Sequence, residues 1–298
     1  MRLARFWVSG ELRVGVVDGD DIIDVTQAAQ GDTDLVNLLY RRRAEVASYA
    51  ADGGSGRRPW RDADLAPPVA PRKFFAIGLN YADHIEEAQL DRPTVPMFFN
   101  KQPTCVVGSR AQIELPRASE HLDYEGELGI VIGRRCRHVT PELAPEVIAG
   151  YLIVNDVSVR DWQFASPTIT LGKSWDTHGP IGPWLTAADA IGDPHDLELS
   201  TFVNGELRQR SNTKHMVFDC FDQIAHLSTV CTLEPGDVIA TGTPSGVGVV
   251  MTPPRFLRPG DLVRIEIEGL GALENSVILE PDDSPRIDDG AGGMACAG

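Results

Sequence analysis

The chain has 298 residues, of which 42% are hydrophobic and 23% charged, a composition typical of a globular protein of one large domain or two unequal ones. Its formal net charge is −16 at pH 7, and no basic run offsets it, so the composition excludes nucleic-acid binding and gives no indication of membrane-surface binding. No stretch approaches the roughly 18 apolar residues needed to cross a bilayer.

The N-terminal 65 residues are predicted to form a small αβ domain. Short apolar runs separated by Gly-containing turns indicate strands, and a longer pattern indicates a helix. These elements are expected at residues 2–8, 12–17, 21–25 (strands) and 33–50 (helix). A Pro-rich connector at residues 66–71 then leads to the main body.

Residues 72–281 are predicted to form a second, β-rich domain. Its strands do not alternate regularly with helices, which favours an α+β fold with antiparallel or mixed sheets over a doubly wound parallel sheet. Strands are expected at 73–78, 124–132, 150–156, 197–203, 237–241 and 262–267. Helices are expected near 80, at 141–149 and at 218–228. The Gly- and Ala-rich residues 282–298 are predicted to be a disordered tail.

The cysteines indicate a reducing compartment. They are odd in number, scattered, and without CxxC or Cys/His metal spacing, as free thiols are. The N-terminus also lacks the basic-then-apolar layout of a secretory signal. We therefore expect a cytoplasmic protein with five free thiols, at Cys105, Cys136, Cys220, Cys231 and Cys296.

The first motif with chemical content follows the predicted strand at 73–78. A helix starting near Asn80 would place His84 and Glu87 three positions apart on one face. A carboxylate beside an imidazole orients the ring, so that its other nitrogen can take a proton from water. A solvated, charge-rich helix face explains the same residues.

A predicted strand at 123–132 carries acidic residues at alternate positions. Side chains two apart on a strand share a face, so Asp123, Glu125 and Glu127 are expected on one side and apolar residues on the other. Carboxylates held so close repel one another, and a hard divalent cation relieves that repulsion. The alternative is an acidic strand face in contact with water.

A further carboxylate ends the apolar strand 151–155. Asn155-Asp156 suits a turn equally well, so two interpretations stand at this point. In the second, Asp156 is a third metal ligand beside Glu125 and Glu127. Three carboxylates would leave roughly three positions of an octahedron for water and a chelating substrate.

Two Gly-rich loops complete the set of motifs. The loop at 170–183 contains Lys173, whose ammonium could face a developing oxyanion, although a surface lysine on a turn is the commoner case. The loop at 241–248 follows a strand and offers hydroxyls and backbone N–H groups to a carboxylate. It lacks the Gly-Lys-Ser/Thr ending of a P-loop.

Taken together, these segments resemble the fumarylacetoacetate hydrolase family. The resemblance runs from about residue 72 to 280 and implies a β-sandwich roll, usually dimeric, with Mg²⁺, Mn²⁺ or Ca²⁺ in the site. The matching motifs are GLNYADHIEE (78–87), DYEGELGIVIG (123–133), VNDVSVRDWQ (154–163), GKSWDTHGPIGP (172–183), RSNTKHMVF (210–218) and IATGTPSGVG (239–248).

The resemblance also implies roles for individual residues. The metal ligands correspond to Glu125, Glu127 and Asp156, the water-activating pair to His84 and Glu87, the oxyanion-side lysine to Lys173, and two substrate-contacting positions to Gln163 and Thr243.

For the activity, the resemblance is to the acylpyruvase and fumarylpyruvate hydrolase type and implies a homodimer acting in aromatic catabolism. The predicted reaction is Mg²⁺- or Mn²⁺-dependent cleavage of the C3–C4 bond of a 2,4-dioxo acid, releasing a pyruvate enolate held by the metal and Lys173.

Decarboxylation of oxaloacetate and isomerisation of a 2-hydroxy-dienoate remain open. The family's isomerases often lack the complete His-x-x-Glu pair, which favours hydrolysis or decarboxylation here. A non-catalytic β-domain with a structural Ca²⁺ site is the alternative from another class.

Overall fold

The computed structural model describes residues 1–87 and 89–282. Most regular structure in this part of the chain is strand, which confirms the predicted β-rich α+β class. Residues 283–298, the bulk of the predicted tail, lie outside the described residues. None of the described helices is long and apolar enough to span a membrane.

The strands, in chain order, are β1 (Arg2–Val8), β2 (Glu11–Asp18), β3 (Asp21–Asp24), β4 (Arg57–Pro59), β5 (Asp64–Ala66), β6 (Phe74–Gly78), β7 (Met97–Lys101), β8 (Val106–Val107), β9 (Ile113–Leu115), β10 (Leu122–Asp123), β11 (Gly126–Ile132), β12 (Ile148–Asn155), β13 (Ser158–Val159), β14 (Gly179–Ala187), β15 (Glu198–Val203), β16 (Glu206–Asn212), β17 (Val238–Ala240), β18 (Leu262–Ile267) and β19 (Gly271–Leu279). The α-helices are α1 (Thr26–Ala29), α2 (Leu35–Arg41), α3 (Arg43–Ala51), α4 (Ala82–Glu87), α5 (Arg160–Phe164) and α6 (Cys220–Val230).

Two of the predicted helices are wrong in extent. The helix expected at 33–50 is two helices, because the chain turns at Arg42, whose φ of −133° is not helical. The first of them starts at Asp34, whose side chain accepts hydrogen bonds from two backbone N–H groups, as an N-cap does. The helix expected at 141–149 is only a 3₁₀ turn, Ala144–Val147, because Ile148 already begins the buried strand β12.

The largest sheet has twelve strands, which lie between residues 2 and 240. Its order is β4-β3-β2-β1-β14-β12-β11-β17-β6-β7, with β5 paired to β1 and β8 to β14. The pairing of β1 with β14 therefore joins strands of the first 65 residues to strands of the main body in one sheet. The division into domains at about residue 70 stays a prediction.

The centre of this sheet is buried on both faces. Along β11, Leu128 and Ile130 pack into a core with the second, five-stranded sheet (order β16-β15-β18-β19-β9), whose β18 contributes Ile265. Val131 points into another core, shared with α2 through Leu35. Since alternate residues face opposite sides of a strand, β11 is apolar on both faces beyond Glu127. The position of β11 is therefore fixed by packing on both of its faces.

Gly126 lies between the two glutamates and has no room for a side chain. A Cβ there would overlap Thr201 Oγ1 and lie 3.2 Å from Ile265 Cγ2. We predict that Gly126→Ala lowers the free energy of unfolding by about 1–3 kcal/mol, the usual effect of overpacking a core. Gly192→Ala, where a Cβ meets nothing within 4 Å, is the control. Equal denaturant midpoints for the two variants would contradict the tight packing behind Glu125 and Glu127.

Candidate active site

Three buried carboxylates meet where β11 begins and β12 ends. Atoms of Glu125, Glu127 and Asp156 that can bind a metal ion lie within 4.8 Å of one another. The antiparallel register aligns Gly126 with Asn155, and the backbone N–H of Asp156 donates to the carbonyl of Glu125 at 2.9 Å. The structure thus brings together all three residues that the sequence predicts as metal ligands.

Asp123 does not join this group of possible metal ligands, although Arg160 contacts both its carboxylate and that of Glu125. Strand β10 ends at Asp123 and β11 begins only at Gly126, so the alternation is broken between them. The Asp123 carboxylate instead accepts hydrogen bonds from Arg160 Nε at 2.8 Å and from the backbone N–H of Gly248 at 2.8 Å. Its role is to hold Arg160.

The two glutamates of this group differ in proton affinity. Burial, with Asp156 and Glu125 beside it, raises the pKa of Glu127 well above its ordinary range. Burial alone would also raise the pKa of Glu125, but Lys173 and Arg160 outweigh it and lower that pKa. Glu127 is therefore the carboxyl that a nearby divalent charge would affect most.

Two buried lysines contact the carboxylates. Lys173 Nζ donates to Glu125 at 2.7 Å and to Asp156 at 2.8 Å, and it lies 5.2 Å from the centre of the Phe99 ring. Burial disfavours its charge, but Asp156 and Glu125 outweigh burial and raise the pKa of Lys173. Lys101 Nζ donates to the other oxygen of Asp156 at 2.6 Å and to the Lys173 carbonyl.

The donor set fits a hard divalent cation. It consists only of carboxylate oxygens, the ligands that Mg²⁺, Mn²⁺ and Ca²⁺ prefer. With all groups ionised, the negative charges of the triad and Asp123 exceed the positive charges of Lys101, Lys173 and Arg160 by one. A divalent ion would reverse that sign and make the site attractive to an anion despite the acidic surface.

His84 and Glu87 lie on α4, as predicted. His84 Nδ1 is 3.5 Å from Glu87 Oε2, a contact longer than an aligned hydrogen bond. Burial opposes ionisation of Glu87, but the contact with His84 and the backbone N–H of Gly246 outweigh it and lower the pKa of Glu87. Glu87 is thus held as a carboxylate facing the imidazole.

Asn80 lies two residues before the first residue of α4, Ala82, and its side chain bonds to other parts of the chain. Its amide donates to the carbonyl of Thr241 at 2.7 Å, and its oxygen accepts from the N–H of Phe218 at 2.9 Å. The residue ties the start of the helix to two distant segments.

The two predicted substrate-contacting residues lie on the wall of one cavity. Gln163 accepts a hydrogen bond from Arg160 at 2.9 Å. The Thr243 hydroxyl donates to the Gly126 carbonyl at 3.0 Å and accepts from Gln209 at 2.8 Å. Both side chains are therefore fixed by partners that also position the carboxylates.

The backbone of the 241–248 loop binds the protein's own acids rather than lying open to a substrate. Gly242 and Gly246 have φ of +98° and +100°, values that glycine adopts readily. The N–H groups that donate, and their acceptors, are Gly242 to Glu127 at 2.7 Å, Gly246 to Glu87 at 3.0 Å and Gly248 to Asp123 at 2.8 Å.

A cavity of about 180 Å³ is lined by several of the groups described above. Its wall includes Glu125, Lys173, Arg160 and His84, so a small molecule inside it would contact the carboxylate cluster and the imidazole together. Sequence reasoning missed Arg160 and Lys101. The signals were present, since Arg160 stands in the 154–163 motif and Lys101 ends the apolar segment 97–101.

Comparison with known proteins agrees with this geometry. Residues 73–278 match the model of the fumarylacetoacetate (FAA) hydrolase C-terminal family. A mitochondrial oxaloacetate tautomerase of Xenopus laevis is 45% identical over 216 residues, which are 72% of this chain and 68% of the relative.

Two solved structures are similar over 94% of this chain and 100% of their own. One is a fumarylacetoacetate hydrolase from Exiguobacterium antarcticum, 38% identical with a TM-score of 0.84. The other is a maleylpyruvate hydrolase from Sphingobium sp. SYK-6 in complex with manganese(II) and pyruvate, 34% identical with a TM-score of 0.81.

Replacing Glu127 by glutamine tests the cluster. Because the pKa of Glu127 is raised on folding, its ionisation destabilises the metal-free fold as pH rises above the ordinary glutamate pKa. We predict that Glu127→Gln raises Tm at neutral pH without divalent ions, an advantage that shrinks toward acid pH. The same variant should bind Mn²⁺ at least about a hundredfold more weakly in calorimetry.

The exposed Glu146 supplies the control, since Glu146→Gln removes the same charge outside the cluster. Wild-type Mn²⁺ affinity in Glu127→Gln would show that Glu127 is no ligand.

Proposed function

Because the chain belongs to the fumarylacetoacetate hydrolase family, we propose that it is a divalent-metal-dependent hydrolase that cleaves the C–C bond of an acylpyruvate-like 2,4-dioxo acid. The observation that carries this proposal is that His84, which is paired with Glu87, lies on the wall of the cavity that is also lined by Lys173 and Glu125. Hydrolysis needs an activated water, whereas tautomerisation and decarboxylation do not.

Binding of the 2-oxo acid end follows from the charges at the buried part of the cavity. Glu125, Glu127 and Asp156 would hold Mg²⁺ or Mn²⁺, with Ca²⁺ as a further candidate, and the bound ion would polarise the substrate's oxygens. Gln163 and Thr243 line the same cavity and would contact the same oxygens, Gln163 through its amide N–H groups, since its oxygen already accepts from Arg160. Arg160, gripped by Asp123 and Glu125, fixes the orientation of Gln163.

The imidazole of His84 is the group that activates the water molecule. Ionised Glu87 stabilises a proton on His84 Nδ1, so Nε2 is left to accept a proton from water as hydroxide adds to the C4 carbonyl. The C3–C4 bond then breaks, its electron pair goes to the pyruvate fragment, and a proton completes pyruvate. The second product is the carboxylic acid of the acyl group, so one water is consumed.

Lys173 faces the charge that develops in this step. Its pKa is raised by Asp156 and Glu125 against the effect of burial, so it remains an ammonium in a site of low dielectric. Removing one such donor typically raises the barrier by about 2.7–4 kcal/mol.

Oxaloacetate tautomerisation is the second candidate, favoured by the 45% identity to the Xenopus laevis tautomerase. It moves one proton between carbon and oxygen and requires no attacking water.

Analysis of products separates the reactions. Hydrolysis of a 2,4-dioxo acid yields pyruvate and a second acid, decarboxylation of oxaloacetate yields CO₂, and tautomerisation or isomerisation conserves mass. Metal uptake with no turnover of any of these substrates would instead indicate a structural calcium site.

Glu87→Gln discriminates between hydrolysis and tautomerisation. The variant removes the charge that orients His84, so we predict a loss of roughly a hundredfold or more in kcat for 2,4-dioxo acid hydrolysis. Oxaloacetate tautomerisation, which uses no water, should change little. His84→Ala and Lys173→Ala should each lose about a hundredfold or more in hydrolysis.

The matched control is Glu86→Gln, which alters the exposed neighbouring residue of the same helix. Full hydrolase activity in Glu87→Gln would overturn the proposed role of the pair, and wild-type activity in Glu86→Gln is expected.

For the assembly we propose a homodimer acting in the cytoplasm, supported by the family to which the chain belongs. Multi-angle light scattering should give twice the chain mass of 32.4 kDa. A monomer mass at micromolar concentration would contradict this.

A further inference from the structure

The cavity has a polar floor and an apolar mouth. Among the described residues, seventeen line it, and ten of these are aliphatic, aromatic or methionine. The lining groups that contact the carboxylate cluster are deeply buried, with Lys173 at 2% and Glu125 at 6% exposure. Three of the apolar ones are open to solvent, Phe164 at 70%, Leu90 at 53% and Met97 at 45%.

We define the distal subsite as the apolar residues at and near this mouth. They come from three separate segments of the chain, at 90–97, 164–169 and 249–250. Its members are Leu90, Met97, Phe164, Ile169, Val249 and Val250.

Arg160 and Lys173, the arginine and lysine of the described cavity wall, are buried away from the mouth and already contact acids, at 4% and 2% exposure. Arg160 is 2.8 Å from Asp123 and 2.6 Å from Glu125, and Lys173 bridges Glu125 and Asp156. His84 faces Glu87. A carboxylate at the far end of a substrate would therefore lose water against apolar side chains with no opposite charge in return.

We infer that the substrate is a 2-oxo acid whose acyl group is apolar and uncharged, held by the distal subsite. This rests on the proposed function and narrows it. The fumarylpyruvate expected from the sequence ends in a carboxylate, which the mouth does not match. An alkyl or aryl acyl group would instead cover Phe164, Leu90 and Met97, which are otherwise exposed.

The selectivity for an apolar acyl group comes from burying its CH₂ groups, here called the tail of the substrate, in the distal subsite. Each buried CH₂ group should strengthen binding about fourfold, the equivalent of about 0.8 kcal/mol. Affinity should therefore rise with alkyl length until the tail extends past the mouth.

The test compares two ligands that differ only at the distal end. Calorimetric titration of 2-oxooctanoate and of 2-oxooctanedioate into Mn²⁺-loaded protein measures binding without requiring chemistry. We expect the monoacid to bind at least about tenfold more tightly than the diacid. Equal or tighter binding of the diacid, or binding of neither ligand, would overturn the inference.

A lysine placed in the mouth should reduce this preference for the monoacid. Met97→Lys adds an ammonium opposite the tail and removes apolar area, so the monoacid preference should narrow by about fivefold or more. Val95→Lys is the control, since Val95 is exposed on the same segment but does not line the cavity. Phe164→Lys is a second variant at a site 70% exposed, where folding is not at risk.

Unchanged selectivity in both mouth variants, or an equal change in Val95→Lys, would contradict the assignment of the distal subsite. Cleavage of acetylpyruvate, whose acyl group carries a single methyl and so has little apolar surface for the distal subsite, tests the proposed function separately. Failure of that cleavage, with the binding preference intact, would reject the reaction and leave the distal subsite standing.

Discussion

The structure depends on one electrostatic constraint: three carboxylates are buried at a single point and must be compensated there. Glu125, Glu127 and Asp156 cannot all be ionised together at low dielectric unless positive charge surrounds them. Lys101 and Lys173 contact Asp156. Glu127 accepts a hydrogen bond from the backbone N–H of Gly242, and burial beside Asp156 and Glu125 raises its pKa, so the compensation is weakest at this residue. A divalent cation would complete it, so the same repulsion that strains the fold prepares a metal site.

Backbone groups position and stabilise these carboxylates as much as side chains do. Strands β11 and β12 bring the acids together through their register, and the cores on both sides of the sheet keep that register from slipping. The 241–248 loop then donates N–H groups to Glu127, Glu87 and Asp123. One loop thereby contacts the carboxylate cluster, the partner of His84 and the carboxylate that holds Arg160. A change in that loop is expected to affect all three.

The site was partly predictable from sequence because its motifs are local. His84 and Glu87 are three residues apart on a helix, and Glu125 and Glu127 two apart on extended chain, so periodicity alone pairs them. Lys101 and Arg160 were missed because their partners are distant, with Lys101 bonded to Asp156 across 55 residues and Arg160 to Asp123 across 37. The cavity walls come from separate segments, and no pattern along the chain specifies that convergence.

Crystallography of the Mn²⁺-soaked protein with anomalous diffraction tests the central claim most directly. The account predicts one strong anomalous peak bonded to oxygens of Glu125, Glu127 and Asp156 together. A peak elsewhere, or one bonded to fewer than two of these three carboxylates, would contradict it.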